Sequence, residues 1–316
     1  MSDALVGSTG FVGRNLSAVH AFGAGFHSRN IADISGRSFD TVVCAAAPAT
    51  MWAANKDPEG DLANIRRLIG HLETVTAGRF VLVSTIAVLE DAAAGLDEGT
   101  QRFETAKAYG RNRRLLEAAC QSLFPRTHVL RLPALFGREL KKNFLFDILN
   151  PVPSFLPPAR FDALAARLPE PAARVLREAY AMADEVGMYR CDRARLAGPA
   201  GETLTRALFA AGFTALDFTH ADSRYQYYGL ARLWDDIGRV IDHEIGVMHL
   251  APEPVGAGEV YAALTGQALE SRSAPLYRED MRTRHAGLWD GPPGYIQSRA
   301  EVLAALKAFH AAAATP

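Results

Sequence analysis

The chain has 316 residues, 49% of them hydrophobic, which is enough for one large domain or two smaller ones. Its 34 basic and 35 acidic side chains leave a net charge of −1 with no long basic run, so no global field draws nucleic acid and a small molecule is the expected partner. Three cysteines, Cys44, Cys120 and Cys191, with none in a Cys-x-x-Cys pair, exclude a disulfide framework and fit buried free thiols in a reducing, cytoplasmic setting.

An apolar strand is predicted at residues 4–6, with no charged leader before it, which reads as the absence of an export signal. Glycines follow at 7, 10 and 13, and residues 11–19 carry apolar side chains at helical spacing: strand, tight turn, helix. A second extended stretch at 24–26 leads into the polar run His27-Ser28-Arg29-Asn30. Buried strands are predicted at 41–45, 80–84 and 128–132, the last closed by Pro133, with helices at 57–77 and 106–122 between them. Short apolar strands alternating with amphipathic helices predict an α/β fold: a doubly wound parallel Rossmann sheet with helices on both faces and right-handed crossovers. The interval between the second strand and Asp40 is too short for a full strand–helix unit, so one unit of the usual sheet is expected to be trimmed or lost. No apolar run approaches the ~20 residues of a membrane helix, and no membrane partner is expected.

The pattern changes after Gly137, and Asn150-Pro151-Val152-Pro153 and Pro157-Pro158 break the chain. Residues 161–183 read as helix interrupted at Pro169 and Pro171, 230–241 as an amphipathic helix, 247–250 as a late strand, and 255–264 and 300–309 as helices; 311–316 is expected to fray. The division that follows is a dinucleotide-binding domain over residues 1–137 and a smaller, mostly helical substrate lobe over 138–316, with some of its segments returning to the sheet domain. Asp235-Asp236 and Asp242-His243-Glu244 lack metal-site spacing and read as the polar face of a helix, so no metal is expected. The segment 281–285 reads as a docking segment without a catalytic role.

The turn Gly7-Ser8-Thr9-Gly10-Phe11-Val12-Gly13 carries the strongest functional signal. Gly7 permits a tight turn off the first strand, Gly10 lets the backbone approach a pyrophosphate, and Gly13 lets the helix pack close to the sheet, while amides at the helix start meet the phosphate charge. Its G-x-x-G-x-x-G spacing resembles that of short-chain dehydrogenases/reductases. In order along the chain, several segments resemble the extended group of that superfamily, in particular the NAD-dependent epimerase/dehydratase family: Ala45-Ala46-Ala47 after a strand, Pro58 followed by Asn64, Ser84-Thr85 at a strand end, Tyr109 and Arg113 in the place of Tyr-x-x-x-Lys, and Leu132-Pro133 beside the nicotinamide.

The resemblance implies an oxidoreductase or epimerase that passes a hydride between a nicotinamide and a substrate carbon, with Tyr109 as general acid or base. A phenol titrates near ~10 and needs a neighbouring cation to work as a base at neutral pH. Residues four apart on a helix share a face, so Tyr109 and Arg113 can point into one pocket. Thr85, with Ser84 as second candidate, would orient the substrate oxygen. Arg113 departs from the family's lysine; a guanidinium is larger, planar and forked, although the charge survives. Structural readings stand beside these: Tyr109 as a half-buried helix tyrosine, Arg113 paired with Glu117, Thr85 as a strand-end cap, Asn64 on a helix surface. The competing functional reading is a cofactor-binding sensor or regulatory protein that has lost its chemistry.

The implied cofactor contacts are Gly7, Ser8, Thr9, Gly10, Phe11, Val12, Gly13, Ala45, Ala46, Ala47, Asn64, Tyr109, Arg113, Leu132 and Pro133. No acidic residue closes the second strand; Ser28, Arg29 and Asn30 stand there, a set that suits a 2′-phosphate and favours NADP over NAD. An exposed loop arginine is the alternative, and Asp33 would serve NAD if the strand ended later. Many relatives take nucleotide-linked sugars through an asparagine after the sixth strand; Ala134 holds that place here, leaving Asn143 as its substitute unless it caps a helix, and Arg224 as a substrate contact unless it stacks on a neighbouring tyrosine. A homodimer through paired helices including 106–122 is the assembly the resemblance implies.

Overall fold

The structure, a computed structural model, describes residues 2–314. The chain divides into two units, one built on the residues up to Leu140 with Arg224–Val255 and Arg278–Phe309, the other on Lys141–Ser223, Gly256–Tyr277 and the residues from His310.

The first unit carries the sheet. Its strands β1 (Asp3–Val6), β2 (Ala24–Phe26), β3 (Ser38–Cys44), β4 (Thr76–Thr85) and β5 (Thr127–Leu132) are joined by the late strand Val247–His249. The spatial order is β2, β1, β3, β4, β5, then Val247–His249, with every adjacent pair parallel. Only a short turn of 3₁₀ helix, Ile31–Ile34, separates β2 from β3, so the strand–helix unit expected to be missing is missing.

Side chains alternate across the strands and build a core on each face. Ala4, Val6, Val42, Cys44, Phe80 and Leu82 point to one side, where helices α3 (Pro58–Leu72) and α4 (Ala108–Leu123) cover them with Ile65, Leu68, Leu72, Leu116 and Cys120. Leu5, Val43, Val81 and Leu130 point to the other, covered by Leu16 of α1 (Phe11–Ser17) and by Leu233, Ile237 and Val240 of the helix Leu233–Asp242. This two-faced burial is why the strands read as continuous apolar runs. Cys44, Cys120 and Cys191 are free and buried.

The second unit packs helices Pro158–Arg167, Glu170–Ala179 and Pro199–Ala210 through Leu164, Leu176, Leu204 and Leu208. It also holds a three-stranded antiparallel sheet of Phe155–Leu156, Met188–Cys191 and Tyr180–Ala183, which corrects the helix expected through residue 183. The helical spacing stops at Ala179 because Gly187, at φ +70°, turns the chain back and pairs Tyr180 with Cys191. Two boundaries also move: α3 ends at Leu72 and not near residue 77, where β4 has already begun, and the last helix runs from Arg299 to Ala314, so the fraying expected from residue 311 does not occur over 311–314. Thr315 and Pro316 lie outside the described residues.

Candidate active site

The glycine turn lies at the carboxyl end of β1. Gly7 sits at φ +91°, and a Cβ there would come within 2.5 Å of the Ala45 carbonyl oxygen and 2.9 Å of Ala46 Cα. The Ala45-Ala46-Ala47 segment leaving β3 therefore runs directly against the turn. A Cβ on Gly13 would lie 2.1 Å from the Gly7 carbonyl oxygen, so this glycine sets how closely α1 packs on the turn. Gly10 differs. It is exposed, and an added Cβ would approach only the Gly7 oxygen, at 3.3 Å, with open space beyond.

The amides of Gly7 and Ser8 donate to the Phe26 carbonyl, Ser8 Oγ does the same at 3.2 Å, and Arg14 Nε donates to the Thr9 carbonyl at 2.8 Å. The first-turn amides of α1, which include Phe11, Val12 and Gly13, have no intrahelical acceptor by helix geometry and face this exposed turn. In the sheet order, β2 lies on one side of β1 and β3 on the other, so the turn sits where the winding reverses, the usual crevice for a ligand in an open α/β sheet.

After β2, Ser28 and Arg29 are exposed. Asn30 is used by the loop itself: its Oδ1 accepts from the His27 amide at 2.7 Å and its Nδ2 donates to the Gly25 carbonyl at 3.1 Å. Leu132 and Pro133 are buried at the end of β5.

Tyr109 and Arg113 do share a face of α4, and β4 delivers Thr85 to the same place. The Thr85 hydroxyl lies beside the Tyr109 phenol and favours its ionised form, and its oxygen accepts from the Ala87 amide at 3.2 Å, which fixes the rotamer. The Arg113 guanidinium carbon stands 4.0 Å from the centre of the Tyr109 ring. Its Nη1 donates to Asp61 Oδ2 at 2.5 Å and to the Tyr109 carbonyl at 3.3 Å, and its Nη2 donates to the Pro48 carbonyl. Arg113 and Asp61 are both buried, at 3% and 4% side-chain exposure, and Asn112 Nδ2 adds a 2.8 Å bond to the same carboxylate oxygen. Burial raises the Tyr109 phenol above its ordinary value, against the opposing pull of Arg113 and the Thr85 hydroxyl.

Glu117 is therefore not the partner of Arg113. It accepts from Arg131 Nε and Nη2 at 3.0 and 2.7 Å, from Arg114 at 3.1 Å, and from Ser84 Oγ at 2.6 Å. Ser84 is thus drawn into a buried ion-pair network under β4 and β5, continued by Arg131 Nη1 to His249 Nε2 at 3.1 Å, and only Thr85 of the two hydroxyls reaches Tyr109. Asn64 is exposed on α3; the residue of that helix that meets Arg113 is Asp61, one turn earlier. Asp61 falls in line with the buried stripe Ile65, Leu68 and Leu72, and a carboxylate on an apolar helix face was the signal by which the sequence could have revealed it.

Of the two substrate candidates, Asn143 lies in the second unit at φ +95° and caps the helix Phe144–Leu149, its Oδ1 accepting from the Leu145 and Phe146 amides at 3.0 and 3.2 Å. Arg224 is exposed on the short strand Arg224–Tyr225 of the first unit. The acidic run 235–236 is not simply a polar helix face. Asp236 is buried and accepts from Tyr228 Oη at 2.6 Å, Arg232 Nε at 2.8 Å and Trp289 Nε1 at 2.7 Å, tying the helix Leu233–Asp242 to the core. Among the described residues no group of three or more His, Cys, Asp or Glu side chains could hold a metal ion, and no helix is long and apolar enough to cross a membrane.

No protein-family model and no curated protein matches the chain. Solved structures do. The dTDP-4-dehydrorhamnose reductase of Bacillus anthracis, in complex with NADP, matches with a TM-score of 0.61 at 12% identity, over 99% of each chain. The UDP-N-acetylglucosamine 4-epimerase of Methanobrevibacter ruminantium, in complex with UDP-N-acetylmuramic acid, matches with a TM-score of 0.60 at 10% identity, over 98% of this chain and 97% of that one. The corresponding epimerase of Bacillus cereus matches with a TM-score of 0.57 at 12% identity, over 99% and 98%. The chain shares the fold of these solved reductases and epimerases over 98–99% of its length.

Proposed function

We propose that this chain is a nicotinamide-dependent oxidoreductase or epimerase of the extended short-chain dehydrogenase/reductase type, acting on a carbonyl or carbinol of a nucleotide-linked sugar. The observation that carries the reading is Tyr109, with Arg113 Cζ 4.0 Å from its ring centre, standing beside Thr85 at the carboxyl end of β4. The glycine turn stands at the same end of the same parallel sheet, at its switch point. The exposed Gly10 and the first-turn amides of α1 suit the pyrophosphate of a dinucleotide. Ser28 and Arg29 suit a 2′-phosphate, so NADP is the proposed cofactor ahead of NAD. When bound, the nicotinamide supplies or accepts the hydride. The chain's own residues handle the proton and the geometry: Thr85 orients the substrate oxygen, Tyr109 gives it a proton or takes one, and Arg113 holds the ring of Tyr109 in place. Relatives in fold that are named as reductases and epimerases of dTDP- and UDP-linked sugars support the substrate class and do not favour the sensor reading.

The test is turnover of a panel of UDP- and dTDP-linked 4-keto and 4-hydroxy sugars, read as NADPH consumption and as epimer formation. Tyr109→Phe is expected to lower the rate by about 10²-fold or more while binding cofactor normally. A Tyr109→Phe variant as fast as wild type removes the acid–base role, and no turnover of any nucleotide sugar removes the substrate class.

A further inference from the structure

The cation beside Tyr109 does not stand alone. Arg113 is locked to Asp61 inside the protein, the two side chains being almost wholly excluded from solvent, and Asn112 donates to the same carboxylate oxygen. Both Nη atoms of the guanidinium are committed to partners in the chain, and its Nε is buried without a hydrogen-bond partner among the described residues. The guanidinium carbon stands over the ring, 4.0 Å from its centre. The charged groups that act on the phenol are Arg113 from its own helix and Asp61 from α3, and Thr85 from β4 is the polar one. The buried guanidinium and carboxylate, 2.5 Å apart, oppose one another at the phenol, with Arg113 acting more strongly and Asp61 offsetting part of its pull.

Building on the proposed function, we infer that Asp61 is a positioning residue: it clamps Arg113 over Tyr109 and offsets part of its charge, favouring the phenol as a proton donor and the site for reduction of a carbonyl. In that direction the carbonyl carbon accepts a hydride from a reduced nicotinamide cofactor, the carbonyl π bond opens onto oxygen, and that oxygen takes the phenolic proton. Tyr109 is left as phenolate and is reprotonated from solvent. Oxidation of a carbinol needs the phenolate first, which an uncompensated cation would favour more than a partly offset one. Burial, the largest influence on the phenol, raises it, and Asp61 adds to that in the same direction.

The test is the titration of Tyr109 itself, followed by NMR of protein carrying ¹³C at the phenolic carbon of tyrosine, with Tyr109→Phe to assign the signal. Asp61→Asn releases the charge of Arg113 and is expected to lower the titration midpoint of Tyr109 by about 1–3 units. Arg113→Gln leaves Asp61 alone and is expected to raise it. The double variant Asp61→Asn/Arg113→Gln is expected to fall between the two single variants, because the opposing charges leave together. Should Asp61→Asn fail to fold with its arginine stranded, the step from Arg113→Gln to the double variant carries the same test, since it must bring the midpoint back down. A midpoint that ignores the loss of Asp61 in both backgrounds overturns the inference. The same variants also predict a pH profile: carbinol oxidation by Asp61→Asn, relative to wild type, gains rate towards neutral pH, whereas a merely structural role moves stability and leaves the profile in place. Cofactor binding by the wild-type chain reads the proposed function and the tyrosine titration reads Asp61, so either can fail without the other.

Discussion

Two glycines three residues apart are expected to answer differently to the same added methyl group. At Gly13 a Cβ falls 2.1 Å from the Gly7 carbonyl oxygen and 2.9 Å from Ser8 Cα, both backbone atoms of a turn that is itself pressed against Ala45 and Ala46. Ordinary contact begins at 3.4 Å, so Gly13→Ala must push α1 away by about 1.3 Å, the difference of those distances. Overpacking of this kind costs about 3 kcal/mol at the upper end of its range, and alanine's better helix propensity returns about 1, leaving about 2 kcal/mol of destabilisation. In a chain of this size that is a melting temperature lower by about 3 °C. At Gly10 the same methyl meets one atom at 3.3 Å and otherwise open space, so stability should stay within about 0.5 kcal/mol of wild type. NADPH binding by Gly10→Ala should nonetheless weaken about tenfold or more, since the space filled is the space proposed for the pyrophosphate. Thermal unfolding and NADPH fluorescence titration of the two variants read both effects. A Gly13→Ala variant that melts with wild type refutes the packing argument. A Gly10→Ala variant that binds NADPH undiminished refutes the role given to the turn.

Removing the carboxylate in Glu117→Gln should lower the urea midpoint by the equivalent of about 3–5 kcal/mol, because Arg131 is left charged and buried at 2% exposure; a loss below about 1 kcal/mol would show that the network is not what holds β4, β5 and α4 together. Burial raises the Glu279 carboxyl from 4.5 to about 7, against the hydrogen bond it accepts from the Gln226 amide at 2.9 Å. The folded chain therefore keeps a proton that the unfolded chain gives up near pH 4.5, and its stability falls as pH rises from about 4.5 to about 7 and levels off above that. Glu279→Gln should match wild type below pH 4.5 and exceed it by about 2–3 kcal/mol at pH 8, and denaturation curves at the two pH values check the sign. Arg29→Ala should weaken NADPH binding about tenfold and leave NADH binding unchanged; equal losses for both would remove the 2′-phosphate contact.

The parts of this fold that announce themselves in the sequence are those governed by local spacing. The strand–turn–helix at Gly7, the two-faced apolar strands at residues 42–44 and 80–82, and the short link between β2 and β3 all follow from period and interval length. Tyr109 and Thr85 were singled out by resemblance to a family pattern, and the fold does bring them side by side. What escaped was set by contacts across long stretches of chain. Residues 52 apart join Arg113 to Asp61, and no pattern on α4 alone distinguishes that partner from Glu117 four residues on. Asp236, in an acidic pair with the exposed Asp235, looked solvated, and only the distant Trp289 and the β-strand Tyr228 show it to be buried. The strand Tyr180–Ala183 continued the alanine-rich spacing of the helix before it, and its partner strand, beyond the turn at Gly187, decided its conformation.

The account depends on a dinucleotide lying across the carboxyl ends of β1 and β3, with its nicotinamide beside Tyr109. A crystal structure of the chain grown with NADP tests this directly. The predicted result is pyrophosphate density against the main-chain amides between Gly7 and Gly13, with the nicotinamide ring in contact with Tyr109 and Thr85. Nucleotide bound elsewhere on the sheet, or a ring turned away from that phenol, would contradict it.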